Sequence, residues 1–174
     1  LTKPITIDLA ILRPLNPRNG VPFIRICKDN PDIGTRVLMA GFPDEVELPF
    51  GYNRLLNKQI LPNEMIDAAN SINLMMIKSG IIGLSSKVSL EDISQDIQAN
   101  GLIFYVDNGM HSGASGGPVI NSAAELIGII TSRAITPVPF EETPELRVPS
   151  GSTVALSPSI FFHWVQKYLE YRLS

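Results

Sequence analysis

The 174-residue sequence predicts a mainly β domain, a barrel or sandwich of short strands, with one α-helix at its C-terminal end. Three observations carry this expectation. About six runs of β-branched or large apolar residues are each flanked by Gly, Pro, Asn or Asp turn residues. These runs do not alternate with helical segments, as they would in an α/β fold. Near the end, Ser159 to Leu173 place Ile160, Phe161, Trp164, Val165, Tyr168 and Leu169 at near-helical spacing, the pattern of an amphipathic helix.

Taken in order, Thr6 to Leu12 reads as a first short strand, ended by Arg13-Pro14. Leu15 to Gly34 is interrupted by Pro17, Gly20, Pro22 and Pro31, so it reads as a connector with one short extended piece at Phe23 to Ile26. Strands follow at Arg36–Ala40, Asn73–Leu84, Leu102–Asp107, Val119–Ile120, Leu126–Thr131 and Thr153–Leu156. A short loop helix is expected at Asn63–Asn70, after Pro62. Pro43–Leu61 and Thr136–Ser152 read as long loops; the second carries four prolines and three glutamates, which excludes a central strand.

Composition removes several function classes. Fourteen Lys and Arg against seventeen Asp and Glu give a formal charge of −3, and no basic cluster is present, so nucleic acid is not an expected partner. No apolar run approaches the roughly 20 residues of a membrane span. The single cysteine, Cys27, rules out an intrachain disulfide and favours a reducing or disulfide-independent compartment. One Cys and two His leave no zinc-type cluster, and no cofactor is expected. The start, Leu1-Thr2-Lys3-Pro4, has neither Met nor a signal-peptide core and reads as a cut end.

The chemistry concentrates in Gly109-Met110-His111-Ser112-Gly113-Ala114-Ser115-Gly116-Gly117-Pro118-Val119-Ile120-Asn121. A serine between glycines fits a tight turn with an exposed hydroxyl and backbone N–H groups able to hold an oxyanion. With Glu125-Leu126-Ile127-Gly128-Ile129-Ile130-Thr131-Ser132 behind it, this segment resembles the nucleophile region of chymotrypsin-fold (trypsin-like) serine proteases. Other pieces fall in that family's order. Ile7-Asp8-Leu9-Ala10-Ile11-Leu12 is similar to the strand carrying the triad aspartate. Gly34-Thr35-Arg36-Val37 through Gly41-Phe42-Pro43 and Lys78-Ser79-Gly80-Ile81-Ile82 resemble the opening strands of the second barrel. Val154-Ala155-Leu156-Ser157-Pro158, with Trp164 in the closing helix, resembles the tail. The cysteine-poor style is closer to Deg-type proteases than to secreted trypsins.

The resemblance implies the C-terminal barrel of a two-barrel serine protease with a C-terminal helix. Residues 1–14 would be the last strand of the N-terminal barrel, 15–34 the connector, 35–156 the C-terminal barrel and 157–174 the helix. It also implies Ser115 as nucleophile, the Gly113 and Ser115 N–H groups as oxyanion hole, and Asp8 as the residue orienting a histidine base. Thr131, Ser132 and Arg133 would line one side of the substrate pocket, Gly109 and Met110 its base, and Val154 and Ala155 would face it. With no acidic residue there, a Lys or Arg preference is not expected, and a small or medium aliphatic side chain is.

Two departures stand out. Ala114 replaces the acid that precedes the serine in zymogen-activated trypsins, so activation by a freed N-terminus is not expected. The family's histidine precedes its aspartate, yet only seven residues precede Asp8 and none is His. His111 falls in the loop shaping the pocket and His163 on the closing helix. The expected function is therefore serine endopeptidase on a polypeptide substrate, the base coming from an N-terminal barrel on an upstream segment or another chain. By itself the chain is expected to be inactive. The alternative is a non-catalytic peptide- or protein-binding module. An α/β-hydrolase also has G-x-S-x-G, but Gly-Gly-Pro-Val-Ile after Ser115 makes a strand where that fold needs a helix.

Overall fold

The computed structural model describes residues 9–12, 15–16, 20–43, 75–92, 97–137 and 147–173. Their strands are β1 (Arg25–Ile26), β2 (Arg36–Gly41), β3 (Met76–Asp92), β4 (Ile97–Val106), β5 (Pro118–Ile120), β6 (Glu125–Pro137) and β7 (Arg147–Leu156), followed by the helix α1 (Pro158–Leu173). Strands β6, β5, β2, β3, β4 and β7 pair in that order, and β7 returns to β6, so the sheet closes into a six-stranded antiparallel barrel. Closure removes the free edges that an open sheet would expose. β1 adds to the outside as a short parallel partner of β6, through Arg25 opposite Glu125 and Ile26 opposite Leu126.

Period-two alternation decides which side chains fill the barrel. On β2, Val37 and Met39 point inward while Arg36 and Leu38 face out. On β4, Leu102, Phe104 and Val106 are buried, and they meet Ile82, Val119, Ile127, Ile130 and Ala155 in one core. Gly128 leaves the space that the Phe104 ring occupies; a Cβ there would sit 2.5 Å from it.

The helix begins where Pro158, which has no N–H to lose, takes its first position. The Ser157 hydroxyl accepts from Leu102 N–H at 3.2 Å, and Ser157 N–H donates to Leu102 O at 2.8 Å, so β4 and the helix start are bonded twice. Ile160 and Phe161 are buried, and α1 lies against β4 and β6. Gly101 is needed beneath it, since a Cβ there would run into Ile160. The side chains of His163, Trp164, Tyr168 and Leu169 lie outside the described residues, as do Pro43–Leu61 beyond Pro43 and the expected helix Asn63–Asn70.

Two expectations are corrected. Thr136–Ser152 is not loop throughout: β6 runs on to Pro137 and β7 starts at Arg147, with Ile135 opposite Pro149 and Thr136 opposite Val148. β7 meets β4 only from Thr153 to Leu156, so its earlier residues form a ribbon paired with β6 alone. Proline is tolerated there because one side of the strand needs no ladder N–H. Within the expected strand Thr6–Leu12, residues 9–12 are not strand and pair with no described element; residues 6–8 lie outside the described residues.

Candidate functional site

The turn that carries Ser115 is built by glycines on three sides. Gly113 and Gly116 both have φ of +85°, a backbone conformation that favours glycine. Gly117 N–H donates to Ala114 O at 3.0 Å and Ala114 N–H to His111 O at 3.3 Å, giving two consecutive turns. Gly116 N–H then donates to Ile130 O at 2.8 Å and Ile130 N–H to Gly117 O at 2.9 Å, which sews the turn onto β6. Gly41 of β2 completes the seat, because a Cβ on it would stand 2.7 Å from the Ala114 Cβ. Ala114 is thus pressed into the core and Ser115 turned out to solvent. An acidic side chain at 114 would be buried against β2 in this conformation.

The Ser115 hydroxyl donates to Thr131 O at 3.0 Å, and the Thr131 hydroxyl donates to Val154 O at 3.3 Å, so nucleophile candidate, β6 and β7 are linked in sequence. While Ala114, Gly116 and Gly117 amides are used by the turns, the Gly113 and Ser115 amides make no bond within them. Both residues are exposed.

Beside Ser115 lies a cavity of about 210 Å³. Thr131, Ser132 and Arg133 of β6 form one wall, with Ile130 behind them. Met110 and the pair His111 and Ser112 form the opposite side. Among the sequence-expected residues, the structure gathers Ser115, Met110, Thr131, Ser132 and Arg133 around this space, with Gly113 on the same turn. Gly109, Val154 and Ala155 do not line it: Gly109 precedes Met110, Val154 lies one bond behind Thr131, and Ala155 is sealed in the barrel core. Asp8 lies outside the described residues. Among the described residues, no group of three or more His, Cys, Asp or Glu gathers where a metal could sit.

The loop leading to the site is tied down by side chains that sequence reading did not select. The Lys78 ammonium donates to Gly109 O at 2.6 Å. Thr153, fully buried, uses its hydroxyl twice, accepting from Met110 N–H at 2.8 Å and donating to Asn108 O at 2.7 Å. Asn108 donates to Ser79 O at 2.9 Å, and Asp107 accepts from Ile81 N–H at 2.7 Å. These bonds tie the strap, residues 107–110, to β3 and β7. The available signal was phase: Lys78 shares the inward phase of β3 with Met76, Gly80 and Ile82, an unusual place for a charge unless it has a partner.

Comparison with known proteins follows this geometry. A family model described as a trypsin-like peptidase domain matches residues 2–129. A comparison with curated proteins finds no significant match. Among solved structures, the chain is similar to the Rv3671c protease from M. tuberculosis. For its active form the identity is 14% and the TM-score 0.51, covering 87% of this chain and 50% of that one. For its inactive form the values are 15% and 0.52, covering 87% and 57%. The chain thus spans about half the length of the structures it matches, and at this identity the likeness is one of fold.

Proposed function

The chain belongs to the trypsin-like peptidase family, and from that premise we propose that it is the C-terminal, nucleophile-bearing part of a serine endopeptidase. The observation that carries this reading is Ser115 itself: an exposed hydroxyl on a glycine turn, beside two amides that the described backbone bonds leave unused and a side-chain-sized cavity. Residues 1–14 are read as the segment that would complete an N-terminal barrel as its last strand, 9–12 being unpaired among the described residues, with 15–34 as the connector.

In this mechanism the Ser115 oxygen attacks the carbonyl carbon of a peptide bond while a histidine takes its proton. The carbonyl oxygen becomes an oxyanion held by the Gly113 and Ser115 N–H groups, a donor contribution of about 3 kcal/mol for each group that binds the transition state rather than the substrate. Collapse expels the amine, which receives the proton from the histidine, and leaves an acyl ester on Ser115 that water hydrolyses by the same steps. Asp8 would orient the base. The family's histidine precedes the aspartate, and no His precedes Asp8 in this sequence, so the base is assigned to polypeptide upstream of Leu1 or on a partner chain. Without it a serine hydroxyl is a weak nucleophile, and turnover falls by about 10⁶ in the protease where this has been dissected.

Intact-mass measurement with a fluorophosphonate probe tests the reading. The assembled protease is expected to gain one adduct, absent in Ser115→Ala, whereas the 174-residue chain by itself gains none. An assembled protein that carries a histidine-bearing segment yet forms no adduct would favour the second reading, a peptide-binding module without turnover.

A further inference from the structure

The charge of the cavity beside Ser115 says more than its position. Arg133 and His111 stand in its wall with Ser112, Ser132 and the apolar Met110. None of the described lining residues carries a carboxylate. Lys78 of β3 reaches the strap beside the cavity, its ammonium bonded to Gly109 O directly before Met110. Asp107, the carboxylate on that strap, holds Ile81 N–H and lines a different cavity with Arg36 and Asn108.

We propose that this cavity takes an acidic side chain, glutamate or aspartate, at the residue preceding the cut, with Arg133 as its reader. The proposal rests on the peptidase reading of Ser115 and departs from the aliphatic preference the sequence suggests. Arg133 is half-buried, where a charge-assisted hydrogen bond is screened less than at an open surface. A guanidinium has five N–H donors in a fixed fork, so it can hold a contact within the chain and still grip a carboxylate. Space is sufficient. On this measure a cavity needs about 10–15 Å³ to hold one water, so 210 Å³ leaves room for a glutamate side chain. An aliphatic side chain of that size would cover the guanidinium and the hydroxyls without bonding them, the arrangement by which polar pockets reject apolar analogues. A lysine would meet a charge of its own sign at Arg133.

The test uses four acetylated peptides identical except for a C-terminal Glu, Gln, Leu or Lys, titrated calorimetrically into the 174-residue chain. Such product-like ends place the last side chain in the cavity whether or not the protein turns over. Glu is expected to bind about tenfold more tightly than Gln or Leu, and Lys most weakly. Arg133→Met should bring Glu down to the level of Gln, and Arg133→Glu should make Lys the preferred end; a melting curve on each variant checks that it folds. Leu binding as tightly as Glu overturns the proposal, as does a Glu preference that survives Arg133→Met, or no binding of any peptide at millimolar concentration. If neither variant folds, the wild-type ranking still decides. The serine reading fails separately: an acidic preference without a fluorophosphonate adduct in the assembled protein leaves the pocket assignment standing and removes the peptidase, while an adduct with no acidic preference does the reverse.

Discussion

At the scale of single residues, the hydroxyl of Thr153 holds a disproportionate share of the site. Its two bonds satisfy the N–H of buried Met110 and the carbonyl of half-buried Asn108. Thr153→Val keeps the shape and removes both partners, so a buried donor and a half-buried acceptor are left unmet. We expect a loss of about 2–4 kcal/mol in urea unfolding, with Thr153→Ser recovering most of it. If the valine variant were as stable as the parent, the strap would not depend on this hydroxyl. The glycines at the turn were legible from their spacing around Ser115, because φ above zero and close approach are both glycine tasks. Thr153 and Lys78 were not. Their importance comes from which carbonyl or amide the folded barrel brings to them, and β7 and the strap are separated by 43 positions for the Met110–Thr153 bond.

At the scale of elements, α1 and β4 form one unit. Gly101 exists where it does because Ile160 crosses over it, its backbone N and Cα 3.0 Å from where a Cβ would be. Gly101→Ala is therefore expected to destabilise through overpacking by about 1–3 kcal/mol. Ile160→Ala alone should cost about 2–5 kcal/mol as a cavity. Because the two changes share one space, the double variant should cost less than their sum by about 0.5–3 kcal/mol. Strict additivity in denaturant titrations would place the helix elsewhere. The element boundaries show why a sequence reading stops where it does. The spans expected at Arg36–Ala40 and Val119–Ile120 lie within strands of nearly the same length, since buried apolar residues alternate to their ends. β3 continues to Asp92 through Ser85, Ser86 and Lys87, polar residues that look like a turn until β4 is seen opposite them. The β6–β7 ribbon was hidden in the same way by Pro149.

At the scale of the whole molecule, the closed barrel concentrates stability in one core. Phe104 is the largest fully buried side chain among the described residues. Phe104→Ala is expected to cost about 3–5 kcal/mol, a large fraction of the roughly 5–15 kcal/mol that holds a domain together. Calorimetry should show the midpoint falling by about 6–20 °C, at about 2–4 °C per kcal/mol for a chain of this size. A midpoint unchanged within a few degrees would mean that the ring is not central. The barrel class was visible early, from about six short strands with turns between them. Its circular order was not, because β2 pairs with β5 across a separation that composition cannot report.

One strand joins matters that are otherwise far apart. β6 receives the incoming chain at its beginning, where Cys27 N–H donates to Leu126 O at 2.9 Å, and five residues later presents Thr131 O to the Ser115 hydroxyl. At about 3.3 Å per residue this sets a span of about 16 Å along β6 between Leu126 and Thr131. The strand is a ruler, and its graduations are discrete. Polypeptide arriving through Cys27 is measured off against the site in whole pleats; a slip of one residue at β1 would shift its approach by one graduation and turn its side chains over. Lengthening or shortening the leash by a single residue is thus a change of face as well as of reach.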